Sequence, residues 1–236
     1  MSFIEDLFSL NGKNAIVTGA ARGNGKAIAD GLENARVAVF RFDILSGHDI
    51  IHCDMTKDIA PIIKIIENNK IDILINNVGV TYPSEPPYPI DKWEKTFKIN
   101  LDATFKISVE VAEKMKKQKS GSIINITSLG CKLSFPNNPA YMASKGALMQ
   151  LGKSLAYDYG KYGIRVNNIA PGYIKTDMTK KTWKNNRKEI NSHTILGRWG
   201  TPSDLIGTVI FLCSDASSYI TGQDIFVDGG WNIKGL

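Results

Sequence analysis

The chain has 236 residues, enough for one sizeable α/β core, and its 43% hydrophobic and 22% charged content is that of a globular protein rather than a disordered or fibrous one. A net charge of +6 with no dense Lys/Arg tract argues against a nucleic-acid partner, and no apolar run approaches the length of a membrane span. Three scattered cysteines, Cys53, Cys131 and Cys213, predict reduced thiols in a cytoplasmic protein rather than a disulfide frame.

Taken in order, MSFIEDLF carries early acids and no apolar h-region, which predicts no secretory leader. NAIVTGAARGNGKAIADGL reads as strand, glycine-rich turn and helix. Gly19, Gly23 and Gly25 would let the backbone turn tightly and approach a phosphate at the helix N-terminus. Residues 36–42 read as a second strand, with Asn34 where a capping glycine would be usual. Only ten residues separate Asp43 from Asp54, so the next crossover is expected to be a loop or a single turn. IIHCDM is a third strand, 59–68 a helix, and 71–75 a fourth strand that runs into Asn76-Asn77-Val78-Gly79. Prolines punctuate the loop TYPSEPPYP. A long helical stretch over 91–118 should kink near Asn100, whose amide competes for backbone hydrogen bonds. Residues 122–127 and 164–169 read as strands, 203–212 as the last helix and 223–227 as the last strand. Residues 173–198 are polar and read as an irregular, mobile cap. Alternating strands and helices imply one domain over 1–236, an α/β doubly wound parallel sheet of about seven strands with helices on both faces. His48, His52 and His193 are isolated and offer no metal-ligand spacing.

The chemistry concentrates between Thr127 and Lys145. Tyr141 and Lys145 stand four apart in a helical pattern, so phenol and ammonium share one face. A nearby ammonium favours phenolate and makes the phenol a workable proton donor and acceptor. Ser128, at the end of the strand GSIINITS, could hold a substrate oxygen in the same space. The bland alternative is a half-buried helix tyrosine beside a solvated lysine.

With TGAARGNG, Asp54, NNVG, Asn100, Ser128, YMASK and PGYIKT in this order, the chain resembles the short-chain dehydrogenase/reductase family over essentially its whole length. It looks closest to the sugar-acid branch of gluconate 5-dehydrogenases and 2-dehydro-3-deoxy-gluconate 5-dehydrogenases. The resemblance implies a single-domain Rossmann-type fold and an NAD(P)-dependent oxidoreductase. It would act on a small-molecule secondary alcohol or ketone, with no metal and, as a family trait, a homotetrameric state. By position it makes Tyr141 the general acid/base. Lys145 would lower the Tyr141 pKa and bind the nicotinamide ribose, Ser128 orient the substrate, and Asn100 hold a relay water. It places Gly19, Arg22, Asn24 and Gly25 at the diphosphate and Asp54 and Met55 at the adenine. Asn77, Val78 and Gly79 would line the adenosine side, and Pro171, Gly172, Ile174 and Thr176 the nicotinamide. Asn24 and Val78 depart from the usual isoleucine and alanine.

A carboxylate after the second strand suits the ribose 2′-hydroxyl of NAD, and arginine suits the 2′-phosphate of NADP. Arg41, read as the strand end, and Arg22 favour NADP; Asp43 leaves NAD open. Lys132, Asn138, Tyr173, His193 and Arg198 are candidate substrate-facing residues. The alternatives are a 3-oxoacyl-thioester reductase acting on acyl carrier protein and a non-catalytic nucleotide sensor.

Overall fold

Seven short apolar runs form seven strands: β1 (Asn14–Thr18), β2 (Ala38–Asp43), β3 (Ile50–His52), β4 (Ile73–Asn76), β5 (Gly121–Ile126), β6 (Ile164–Pro171) and β7 (Asp224–Val227). All pair in parallel, in the order β3-β2-β1-β4-β5-β6-β7. The computed structural model describes residues 3–47 and 49–235; Met1 and Ser2 of the N-terminal stretch, and His48, lie outside the described residues. The helices are α1 (Phe3–Phe8), α2 (Gly23–Asn34), α3 (Ala60–Asn68), α4 (Ile90–Phe97), α5 (Ala103–Gln118), α6 (Pro139–Tyr159), α7 (Lys180–His193) and α8 (Ile206–Cys213).

The strands are apolar on both faces because helices cover both. Ala15, Val17, Ile73, Ile75, Ile124 and Ile126 face α2 and α8; Ile16, Leu74 and Ile123 face α3, α5 and α6. The chain runs from β1 outward to β3, then returns to β4 and proceeds the other way. Loops at the carboxyl ends of β1 and β4 therefore part, and an open parallel sheet binds its ligand in that crevice.

A row of polar side chains crosses the sheet beneath α6. Asn76 Nδ2 donates to Asn125 Oδ1, Asn125 Nδ2 to Asn168 Oδ1, and Asn168 Nδ2 to Asp224 Oδ1, at 2.7–2.9 Å. Asn168 Nδ2 also reaches the Met149 carbonyl of α6 at 3.0 Å. Gly152 lets the helix lie this close, since a Cβ there would sit 2.3 Å from Asn168 Oδ1. Buried amides linked to one another in this way fix helix to sheet in a single register.

The β2–β3 crossover contains no helix among the described residues, in line with its length. Two other expectations need correction, and a third, the break near Asn100, takes a defined form. The reversal after α2 is made by Arg36, at φ 65, not by Asn34, which is the last helical residue. The kink near Asn100 is a π-helical turn, Lys98–Asp102, joining α4 to α5. Residues 173–198, expected to be irregular, contain the fourteen-residue α7. Thr179 sets up its start, donating to the Ile174 carbonyl at 2.6 Å and accepting from the Thr176 N–H at 3.0 Å, and buried Ile190 anchors it.

Candidate active site

A cleft of about 550 Å³ opens at the carboxyl ends of the strands. Gly19, Arg22, Gly23 and Asn24 line it from the glycine loop, and Asp43, Ile44 and Leu45 from the end of β2. Asn77, Val78 and Gly79 follow β4, and Ser128, Tyr141 and Lys145 close the other end. Pro171, Gly172, Ile174 and Thr176 complete the wall beyond β6. Five predicted site residues, Gly25, Arg41, Asp54, Met55 and Asn100, are not on this wall.

Helix α6 brings Tyr141 and Lys145 together at the end of β5. The Lys145 ammonium donates to the Ile126 carbonyl at 2.7 Å and lies 5.9 Å from the Tyr141 ring centre. Gly79 leaves room for it, because a Cβ there would stand 3.3 Å from Lys145 Nζ. The expectation that Lys145 sets the phenol low does not describe this cofactor-free arrangement. Burial raises the Tyr141 pKa, the Ser128 hydroxyl pulls it down through a hydrogen bond, and Cys131 adds to the rise. Ser128 also accepts the Gly130 N–H at 3.1 Å, which holds its hydroxyl at the strand end.

Asn100 is fully buried behind the cleft. Its Oδ1 accepts the Val80 N–H at 2.8 Å, and its Nδ2 donates to the Val80 carbonyl and to Ser144 Oγ, each at 3.0 Å. Ser144 in turn donates to the Tyr141 carbonyl at 2.9 Å. The π-turn thus ties the loop after β4 to the α6 turn that bears Tyr141 and Lys145. The Ser144 link was not foreseen; the only signal for it was the serine inside YMASK.

Burial pulls Lys145 from its ordinary 10.5 to about 8, with Cys131 acting weakly the other way. Between those values the unfolded chain holds a proton that the folded chain has released, so stability from this group rises with pH. Lys145→Met has no such dependence. The stability of wild type relative to Lys145→Met should be flat below about pH 8 and climb by roughly 3 kcal/mol toward pH 10.5. Urea midpoints at pH 7 and pH 10 check this; an unchanged difference would show that Lys145 titrates as an exposed lysine.

At the other end the glycine loop is locked to β4. Asn77 Nδ2 donates to the carbonyls of Thr18 and Gly19 at 3.0 Å, and Thr18 Oγ1 accepts the Asn77 N–H at 3.0 Å. Gly19 has φ +67, and a Cβ on it would meet Asn77 Nδ2 at 2.9 Å. A Cβ on Gly25 would lie 2.0 Å from the Gly19 carbonyl oxygen. The α2 N-terminus therefore opens directly onto the cleft, where its N–H groups suit a phosphate. Asn24, in the first turn of α2, carries a buried Oδ1 with no hydrogen-bond partner among the described residues. A cradle only glycine permits, a helix N-terminus and an unpaired acceptor fit a dinucleotide.

The nucleotide-reading positions need correction. β2 ends at Asp43, not at Arg41. Strand alternation turns Arg41 toward α2, where it donates to Asp30 Oδ1 at 2.7 Å and to both oxygens of Glu33 at 3.1 and 2.8 Å. Arg41 is 7% exposed and its guanidinium is spent on this cluster. Asp43 lines the cleft, its two oxygens accepting the Ala21 and Leu45 N–H groups at 3.0 Å. Arg22 lines it too, exposed and 3.6 Å from Asp177. Asp54 instead organises its own turn, accepting from the Thr56 hydroxyl at 2.7 Å and pairing with Lys57. Met55 lines a separate hollow with Thr56, Trp93 and Phe97.

The substrate-facing candidates are engaged elsewhere. Lys132 donates to Asn232, Asn138 to Thr81, and Arg198 makes two bonds to Asp204 at 2.7 and 2.8 Å. Tyr173 packs on Phe135, Trp199 and Trp231, and His193 on Trp231. These contacts form an aromatic cluster at the base of the segment that bears α7. Among the described residues no group of His, Cys, Asp and Glu could hold a metal ion, and no helix is long and apolar enough to cross a membrane.

Comparison with known proteins agrees with this geometry. A family model described as enoyl-(acyl carrier protein) reductase matches residues 19–232. The chain is 36% identical to a 2-dehydro-3-deoxy-D-gluconate 5-dehydrogenase of Bacillus subtilis (strain 168), covering 98% of this chain and 99% of the relative. It is 36% identical to a gluconate 5-dehydrogenase of Gluconobacter oxydans (strain 621H), covering 97% and 98%. The crystal structure of a gluconate 5-dehydrogenase from Burkholderia cenocepacia J2315, in complex with NADP and tartrate, superposes with a TM-score of 0.92 at 31% identity, over 98% of this chain and all of that one. The seven-stranded parallel sheet, the serine–tyrosine–lysine end of its cleft and these relatives together make the chain a member of the short-chain dehydrogenase/reductase family.

Proposed function

We propose that this protein is an NAD(P)-dependent oxidoreductase that transfers a hydride between nicotinamide and a secondary alcohol or ketone of a sugar acid. The observation that carries this is the meeting of Ser128, Tyr141 and Lys145 at one end of a cleft whose other end is a phosphate-ready glycine loop. The bound dinucleotide supplies the hydride donor or acceptor. Ser128 holds the substrate oxygen, and Tyr141 gives that oxygen its proton as the ketone is reduced and takes it back as the alcohol is oxidised. Lys145, held by the Ile126 carbonyl and protonated below about pH 8, would bind the nicotinamide ribose and bring its charge to the phenol when the dinucleotide is in place. Asn100 keeps this turn of α6 in register with the loop after β4.

The sugar-acid substrate is supported by relatives named for gluconate and its dehydro derivatives and by the tartrate, a hydroxy acid, in one of the matching structures. The segment 173–198 acts as a cap whose Lys175, Lys180, Lys181, Lys184, Arg187 and Lys188 would draw a carboxylate toward the cleft. A panel of sugar acids, their neutral analogues and acetoacetyl thioester, each with NADP and NAD and read by reduced-nicotinamide absorbance, tests the reading. Turnover of the thioester alone would select 3-oxoacyl-thioester reduction. Exposed Trp93, Phe105 and Tyr157 on α4, α5 and α6 support a homo-oligomer, and a cytoplasmic homotetramer is the working form proposed.

NADP is the proposed cofactor, supported by the NADP-bound relative and by Arg22 on the cleft wall. The two backbone N–H groups on Asp43 soften its repulsion of a 2′-phosphate. Arg22→Ala should weaken NADP by about tenfold and NAD by less than twofold, since a charge-assisted bond to phosphate contributes roughly 1.5 kcal/mol. Arg41→Ala should leave the ratio unchanged and lower stability, because it strips Asp30 and Glu33 of their cation. Titrating both cofactors into both variants checks this; a selective NADP loss in Arg41→Ala would return that residue to the pocket.

A further inference from the structure

The buried side-chain polar atoms without a partner among the described residues are Asn24 Oδ1, Asn76 Oδ1, Asn191 Oδ1 and Trp199 Nε1. Of these, only Asn24 belongs to a residue that lines the cleft. An acceptor shut away from water and left unpaired is costly, so its place in the first turn of α2 calls for a partner. Phosphate cannot be that partner, because an ionised diphosphate offers acceptors alone. The donors of a dinucleotide are its ribose hydroxyls, the adenine amino group and the nicotinamide carboxamide N–H.

Position decides among them. A Cβ on the neighbouring Gly23 would touch Thr176 at 3.6 Å, and Thr176 follows β6. That is the side of β1 on which β4, β5 and the Ser128–Tyr141 end lie. The adenosine end, at Asp43, Ile44 and Leu45, follows β2 on the opposite side.

We propose that the Asn24 amide oxygen accepts a hydrogen bond from the nicotinamide half of the bound dinucleotide, from a ribose hydroxyl or the carboxamide. The proposal rests on the dinucleotide reading of the cleft. It gives Asn24 two opposed effects. In the free protein the unpaired oxygen lowers stability; in the complex it adds affinity. An apolar side chain of similar size reverses both.

Calorimetric titration of NADP, NAD and adenosine 2′,5′-bisphosphate, with thermal melts of the cofactor-free protein, tests this on Asn24→Leu. The melting temperature should rise by a few degrees. NADP and NAD affinity should fall together by about five- to thirtyfold. Affinity for the bisphosphate, which lacks the nicotinamide half, should stay within twofold. Asn24→Ala, which removes the amide without adding bulk, should show the same pattern of affinities. Dinucleotide affinity unchanged in both variants would overturn the proposal, and so would an equal loss for the bisphosphate, which would move the contact to the adenosine half or reveal a distorted loop. Wild-type protein that binds none of the three would overturn the dinucleotide reading itself and Asn24's part with it.

Discussion

Tyr141→Phe should lower kcat by about a thousandfold or more while NADP affinity stays within a few-fold of wild type. The change removes one hydroxyl. The ring that packs at the head of α6 remains, and so do Lys145 on Ile126 and Asn100 on Ser144. General acid/base catalysis contributes typically ~10²–10⁴ in rate, and here the proton passes at the same carbon–oxygen bond as the hydride. The pH profile gives an independent reading. Burial raises the phenol above its ordinary value, so the protonated form that serves ketone reduction prevails at neutral pH. Alcohol oxidation needs the phenolate and should quicken as pH rises, whereas reduction should slow. Tyr141→Phe should flatten both limbs. Activity retained within about tenfold, under ~1.4 kcal/mol of barrier, would remove Tyr141 from the mechanism.

The meeting of Ser128, Tyr141 and Lys145 at one end of the cleft was legible because their placement is local. Tyr141 and Lys145 are neighbours by helical spacing alone, and Ser128 ends an apolar run that could only be a buried strand. The glycine loop was legible for the same reason, since close approach restricts a position to one residue type. Part of what failed depended on partners distant in sequence. Arg41 looked like a phosphate reader because it was read as lying at the strand end, whereas β2 runs on to Asp43. Nothing local says that Asp30 and Glu33 on α2 would face it across the first crossover. Asp54 and Met55 were placed by resemblance, and Asp54 instead folds its own turn around Thr56 and Lys57. The segment 173–198 read as irregular because most of α7 is polar. A helix on the surface needs only one apolar anchor, Ile190, and a well-held start at Thr179. The amide row under α6 was invisible because each asparagine, taken singly, suits a strand end or a turn; only the parallel register aligns them.

Gly25→Ala should cost the protein both its cofactor and much of its stability. The added Cβ would stand 2.0 Å from the Gly19 carbonyl oxygen and 2.4 Å from Asn77 Nδ2, well inside any real contact. Neither neighbour can step aside cheaply. Gly19 is backbone, held at φ +67, and its N–H donates to the Phe42 carbonyl at 2.8 Å. Asn77 is committed to the carbonyls of Thr18 and Gly19. The helix must therefore back away, which moves the α2 N–H groups off the phosphate and loosens the β1–β4 clamp together. Overpacking of this kind costs about 1–3 kcal/mol or more, and an N-terminus displaced by an ångström loses most of its phosphate bonds. Thermal melts should show a drop on the order of 5 °C or more, and titration should show dinucleotide affinity down at least a hundredfold. Gly146→Ala is the matched control. It lies beside Lys145 in α6, its Cβ would meet nothing within 4 Å, and an alanine in a helix interior is favoured over glycine by roughly 0.5–1 kcal/mol. That variant should be slightly more stable than wild type and bind the dinucleotide normally. Near-normal affinity in Gly25→Ala would mean that the loop yields without loss, and that the close approach of α2 to β1 is not what presents the phosphate site.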